Sequence, residues 1–427
     1  MKDGIISETK NSRIIKADLP ETYEELRQLA AENGVPIDML FNALGWSQTP
    51  TFLTKGTLLS DVTEEAIWSN AQNRTVDEAL KMLADIAYGR VATLNLTVQD
   101  TAGNPIPDVA VRLDRAADII NGPFTDLNGE ITIDTSGGSH IVNLAYPLGY
   151  SASTGTKQVQ VTGTTSETIK EVSRVSTDTV FKYTTSTNNL RVARFLSPIK
   201  VHLMGGGGSG AACIDTSSST LSNLEAHAQG GTSGESKIIS AIDVAGKLIS
   251  FTIGAGGSSV VARTSGRAVE STNGNNGGST TFKVDSTTHT AGGGYGGKAS
   301  PSSMMGKNTG SYRASGGGAS WENYDYSGCD GDKGGYLFAD SSQQRVGGGG
   351  GGAISEYNYD YGGNGGETGG GDGKQTREGS SWGTPTADNG TGNCGAGGGG
   401  VASVSTYEGL TATSGKGDSG LVAFRKA

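Results

Sequence analysis

The chain has 427 residues, of which 70 are glycine and 10 proline, and its 33 Lys plus Arg against 43 Asp plus Glu leave a net charge of −10. That acidic balance, without any Lys/Arg cluster, excludes a nucleic-acid binder, and no run reaches the ~18 apolar residues of a membrane helix, so no membrane insertion is expected. Length permits about three domains at ~150 residues each, and MKDGIISETKNSRIIK lacks the apolar segment of a signal peptide.

Residues 1–90 read as short helices. Thr22 to Glu25 (TYEE) and Thr75 to Glu78 (TVDE) have capping-box spacing, in which the threonine accepts an orphan helix N–H and the glutamate reciprocates. The second helix carries Val76, Ala79, Leu80, Leu83 and Ala87 on one face and ends at Gly89. Pro36 to Leu44 and Asp61 to Ser69 add two shorter candidates. One apolar stripe per helix is too little for an independent core, so this region is expected to attach to partners or to sister chains.

The period changes over residues 91–174. Thr93 to Val98 alternates, DTAGNPIPDVAVRL (Asp100 to Leu113) places a turn before a second strand, and TDLNGEITI (Thr125 to Ile133) supplies another turn and strand. His140 to Tyr150 and Gln158 to Val161 add further strands at the spacing of a β-sandwich. The DxxGNPIxxVxVxL and TDxNGxI patterns resemble bacterial immunoglobulin-like and carboxypeptidase-regulatory-like modules, which implies an Ig-like spacer. Residues 175–197 read as a connector.

Glycine dominates the rest of the chain: 13 of the 70 precede residue 201 and 57 lie beyond it. Collagen is excluded, because the glycines come in solid runs and Pro301 and Pro385 are the last two prolines. A flexible linker is disfavoured because strand-like pieces bracket the runs, at Ile199 to Met204, Leu248 to Ile253, Thr280 to Val284 and Leu421 to Phe424. The remaining option is a bundle of extended three-fold helices with polyproline II geometry and no Cβ to keep backbones apart. Such helices lack internal hydrogen bonds, so each run must bond to its neighbours. The expected lattice glycines are Gly205, Gly206, Gly207 and Gly208; Gly347, Gly348, Gly349, Gly350, Gly351 and Gly352; and Gly397, Gly398, Gly399 and Gly400. The fold class expected for the whole chain is therefore mainly β and irregular: short N-terminal helices, a sandwich, and stacked polyglycine II helices with short strands over residues 198–427.

The runs VHLMGGGGSGA, FTIGAGGSS, GGSTTF, AGGGYGG, GGGGGGA, CGAGGGGVA and SGKGDSGLVAFRK succeed one another in an order that resembles the glycine-rich domain of phage tail proteins, similar in kind to the tip adhesins of T-even-type tail fibres. TKGTLLSD and TVDEALKML in turn resemble segments near the start of phage tail-fibre proteins. This resemblance implies a lattice scaffold whose connecting loops carry host specificity, a homotrimer, other tail proteins bound through the N-terminal region, and a place in the virion tail.

Motifs of catalysis are weak by comparison. Gly292 to Lys298 fits the GxxxxGK part of a phosphate loop, yet Ala299 replaces the hydroxyl that would hold Mg²⁺. GDSG at Gly417 to Gly420 copies a serine-protease fragment with too little chain after Ser419 for such a barrel. Asp325, Asp330 and Asp332 lack the glutamate of an EF-hand, and His140, His202, His227 and His289 fall in separate segments without metal-ligand spacing, so no metal and no cofactor are expected. The three cysteines, Cys213, Cys329 and Cys394, are odd in number and are expected to be reduced thiols. More informative are the segments between runs, which concentrate Tyr and Trp among Asn, Asp and Ser: Trp321, Tyr324, Tyr326, Tyr336, Tyr357, Tyr359, Tyr361 and Trp382. Rigid aromatic area with adaptable hydrogen bonding is the chemistry of a paratope, and aromatic faces stack on sugar rings. The expected function is binding of a bacterial surface glycan or protein receptor without catalysis. A tail-borne polysaccharide depolymerase and a bacterial surface adhesin are the alternatives.

Overall fold

The computed structural model describes residues 3–6, 15–18, 31–32, 91–117, 119–302, 305, 313–316, 330–356, 360–367, 369–377, 384–392, 394–407 and 409–427. It is mainly β, as the periodicity predicts. The four helix candidates at residues 22–25, 36–44, 61–69 and 75–78 lie outside the described residues. Of the described residues before 91, 31–32 are helical, while Asp3–Ile6 pairs antiparallel with Ile15–Asp18, where β-branched Ile5, Ile6 and Ile15 favour extended backbone.

Two compact units make up the chain, Met1–Tyr146 with Ser151–Ser173, and Pro147–Tyr150 with Arg174–Ala427. The first holds two three-stranded sheets, ordered Glu130–Ser136, Val91–Asp100, Thr164–Val172 and Ala110–Leu113, Gly138–Ala145, Thr154–Val161. Alternate residues Leu94, Leu96 and Val98 of one sheet and Val142, Leu144, Val159 and Val161 of the other are buried. The turn motifs work through their aspartates. Asp100 Oδ1 accepts the N–H groups of Ala102 and Asn104 at 3.0 and 2.8 Å, and Asp126 Oδ1 accepts those of Asn128 and Glu130, both at 2.9 Å. Gly129 is required between them: its φ is +73° and a Cβ there would lie 2.4 Å from the Val98 carbonyl oxygen. Strand Thr164–Val172, parallel to Val91–Asp100, has weak apolar alternation and escapes the sequence reading.

In the second unit, glycine runs shuttle between two ends. At the near end, where the strands preceding the first run pair, one sheet is ordered Ser236–Ile242, Ile199–Met204, Leu421–Lys426, Phe181–Tyr183 and another Thr187–Arg191, Leu248–Thr252, Thr280–Val284, Thr287–Ala291. The far end carries Val269–Thr272, Ala212–Asp215, Val401–Val404, Lys374–Arg377 in one sheet and Ala299–Ser300, Glu225–Ala228, Ala353–Glu356, Asp360–Gly362 in the other. Large residues close the near end, where Tyr183 stacks on Phe424 at 5.7 Å beside buried Phe251 and Phe282. Alanines dominate the far-end interior, with Ala211, Ala226, Ala228, Ala353 and Ala402 in one buried cluster.

Between the ends, hydrogen bonds repeat every third residue. The N–H groups of Gly205, Gly208 and Ala211 donate to the carbonyls of Glu235, Thr232 and Gln229; those of Gly206 and Ser209 donate to Gly278 and Asn275; those of Gly207 and Gly210 donate to Asp418 and Gly415. Partner numbers fall by three as donor numbers rise by three, which requires antiparallel helices of three residues per turn. Returning bonds come from parallel runs: Gly294 and Gly297 donate to Gly206 and Ser209, Gly398 and Val401 to Gly208 and Ala211, and Gly257 to Gly207. The central run is thus ringed by six others and is buried throughout. The six-glycine run 347–352 is buried too, accepting from Gly397 and Gly400 on one side and from Gly366 and Gly363 on another, again three residues apart. These are stacked polyglycine II helices.

Candidate functional site

The lattice decides where the connections emerge. Ala353–Glu356 and Asp360–Gly362, the strands on either side of the segment holding Tyr357 and Tyr359, pair at the far end. Lys374–Arg377 runs parallel to the far-end strand Val401–Val404, and the Pro385 carbonyl accepts the Thr413 N–H at the same end. Residues 313–316 climb alongside the run 230–233, and Gly331 and Asp332 descend bonded to Asn364 and Ser315. Trp321, Tyr324, Tyr326, Tyr357, Tyr359 and Trp382 themselves lie outside the described residues.

The two described members of the aromatic set part company. Tyr361 is half-buried against Ile354, its partner in strand register, at the far end. Tyr336 sits at the opposite end, in a short strand pair with Arg345–Val346, and the Arg345 guanidinium lies 4.6 Å above its ring. Tyr336 and Tyr361 thus lie at opposite ends of the lattice, and composition carries no information about which end a connection occupies. Tyr407, 56 % exposed on the far-end connection between Val401–Val404 and Thr411–Thr413, belongs to that end and was missed; an isolated tyrosine gives no compositional signal.

The motif fragments are absorbed by the lattice. In the phosphate-loop lookalike, Gly294 and Gly297 donate to backbone carbonyls, Gly292 to Glu235 Oε2 at 2.7 Å, Tyr295 to Thr232 Oγ1 at 2.7 Å and Gly296 to Asn276 Oδ1 at 2.9 Å, so these amides already have acceptors. In GDSG, Gly417 donates to Gly257 and Asp418 Oδ2 accepts the Cys394 N–H at 2.9 Å. Asp330 Oδ1 accepts the Asn364 N–H at 2.7 Å. Cys213 and Cys394 are buried thiols outside any disulfide; burial pushes the Cys213 thiol up to about 11 and raises that of Cys394.

The histidines differ in role. His202 is fully buried at the near end, its Nδ1 accepting the Phe338 N–H and its Nε2 donating to Ser236 Oγ, both at 2.8 Å. Burial, with Lys200 nearby, pushes its pKa down to about 4, so it is neutral and structural. His140 is buried between Asp114 Oδ2 at 2.6 Å and the Ser136 carbonyl at 2.8 Å. His227, 1 % exposed, has Nε2 3.3 Å from Glu356 Oε1 and 3.9 Å from Glu225 Oε2 at the far end. This cluster is invisible in the sequence, because Glu356 comes from a strand remote in the chain. His227 thus has two carboxylates beside it, of which its own segment's sequence shows only Glu225.

No curated protein matches the chain. Among solved structures, the Streptococcal ancillary pilin is similar at 12 % identity over 55 % of this chain, with a TM-score of 0.17, and the chain spans 60 % of that chain's length. Residues 183–427 match the glycine-rich domain family, and since this is more than half of the chain, the chain belongs to that family.

Proposed function

We propose that this chain is a recognition protein of a phage tail or a related particle, which binds a glycan or protein receptor on a bacterial surface through the far end of its glycine lattice. The observation that carries the reading is the shuttling of the runs. The described segments that flank the aromatic, Asn/Asp-rich connections run toward one end of a rigid scaffold, opposite the strands through which the chain enters it. Rigid scaffolds with variable loops are the general design of recognition surfaces. Weak contacts per loop would gain strength from several copies per particle, as in a homotrimeric fibre, through effective concentration. Residues 1–90 would join other tail proteins. The role is binding alone.

The test is saturable binding of the fluorescently labelled full chain to a panel of intact bacterial strains, with released reducing ends measured in the same samples. Strain-selective binding without sugar release is expected. Release of reducing ends would replace this reading with a depolymerase, and uniform absence of binding to strains that adsorb the parent particle would reject it.

A further inference from the structure

Glu225 and Glu356 face each other in register across the antiparallel pair Glu225–Ala228 and Ala353–Glu356. Like charges directly opposed on neighbouring strands destabilise a sheet. Here a third donor joins them. Glu225 and His227 are two residues apart and so project to one face, while Ala226 and Ala228 project to the other, into the alanine cluster that also takes up Cys213. One donor atom from each of Glu225, His227 and Glu356 falls within 4.8 Å of the other two.

We propose that Glu225, His227 and Glu356 bind one divalent transition-metal ion of the zinc class at the far end of the lattice. Tetrahedral Zn²⁺ with bonds of about 2.0–2.2 Å places its ligand atoms roughly 3.3–3.6 Å apart. The observed 3.3 Å from His227 Nε2 to Glu356 Oε1 meets that spacing, and the 3.9 Å to Glu225 Oε2 closes by a small rotation of a half-exposed side chain. One imidazole with carboxylates is a donor set for Zn²⁺, and the absence of thiolate among the three disfavours Cu(I). Supporting this, the Glu356 carboxyl is raised above its ordinary range, first by burial and then by the facing Glu225, an electrostatic load that a cation would remove. Glu225 begins its strand and Glu356 ends its own, so the ion would tie the two strand ends together immediately before the connection bearing Tyr357 and Tyr359. Three protein ligands leave a fourth position for water or for an oxygen of a bound molecule. The site stands whether or not the far end binds a receptor.

The experiment is titration of the chelator-treated full chain with Zn²⁺ by calorimetry, paralleled by Co²⁺ titration read as visible absorption and by melting curves with and without metal. The expected result is one equivalent bound per chain, a tetrahedral Co²⁺ spectrum and a raised Tm. Glu225→Gln and Glu356→Gln should each weaken binding at least about tenfold. Because His227 is buried and its replacement threatens folding, the half-exposed Glu225 provides the decisive variant. No uptake by a chain that melts cooperatively, uptake unchanged in both variants, or Ca²⁺ uptake in place of Zn²⁺ would overturn the assignment.

Discussion

A hydrogen atom in place of Cβ is what the lattice demands at its buried runs. A Cβ on Gly350 would lie 2.1 Å from the Gly398 carbonyl oxygen and 2.5 Å from its carbon, both backbone atoms that cannot retreat without moving another run. Gly350→Ala, and still more Gly350→Val, is therefore expected to abolish folding of the lattice, seen as loss of its cooperative melting transition. Gly266 provides the contrast: a Cβ there meets nothing within 4 Å. Gly266→Ala should leave stability unchanged or raise it by about 0.4–1 kcal/mol through the unfolded chain. Equal damage from both would refute close packing of the runs. The sequence shows which glycines are clustered, but not that Gly266 is spare.

His202 sets a pH limit at the same scale. Its folded pKa of about 4 lies below the 6.5 of an unfolded histidine, so the unfolded chain takes up the proton first as pH falls. The stabilisation is full above about 6.5 and is lost progressively down to about 4, by roughly 3 kcal/mol in all at 1.36 kcal/mol per unit. Urea denaturation across that interval should show the decline, and a His202→Gln chain, less stable at neutral pH, should lack it. A flat profile in the parent chain would contradict the buried neutral imidazole.

At the scale of elements, strands and runs were largely legible and their partners were not. Ile199–Met204 and Leu421–Lys426 announce themselves by apolar β-forming residues, and the runs by glycine. Which run bonds to which cannot be read from residues without side chains, since pairing is fixed by the three-residue repeat and by the strands at each end. Tyr357, Tyr359 and Tyr361 illustrate the limit. They alternate as one set in sequence, yet Tyr361 packs on Ile354 inside strand pairing. Tyr361→Ala is expected to lower stability by about 1–2 kcal/mol, as substitution of a packed side chain does. The Tyr357→Ala/Tyr359→Ala double variant should keep the parent Tm and lose receptor binding. A Tm drop in the double variant larger than that of Tyr361→Ala would assign these rings to packing.

Across the whole molecule, the change from sandwich to glycine lattice was visible as a shift in composition, whereas the opposition of near and far ends emerges from topology alone. Burial of thiols is a property of that assembled interior. With Cys213 raised to about 11 and Cys394 raised as well, neither should react with iodoacetamide in the native chain at neutral pH, and both should react once it is unfolded. Rapid native labelling of Cys213, mapped by mass spectrometry, would mean that the lattice opens.

The proposed function puts recognition at the far end of the glycine scaffold. Three full-length proteins put it to the test by saturable binding to a susceptible strain: the parent chain, a Tyr357→Ala/Tyr359→Ala/Trp382→Ala far-end variant, and a Lys247→Ala near-end variant, all with matched melting curves. Binding lost in the far-end variant and retained in the near-end variant is the expected result. Binding retained in the far-end variant, or lost when the near end alone is changed, would contradict it.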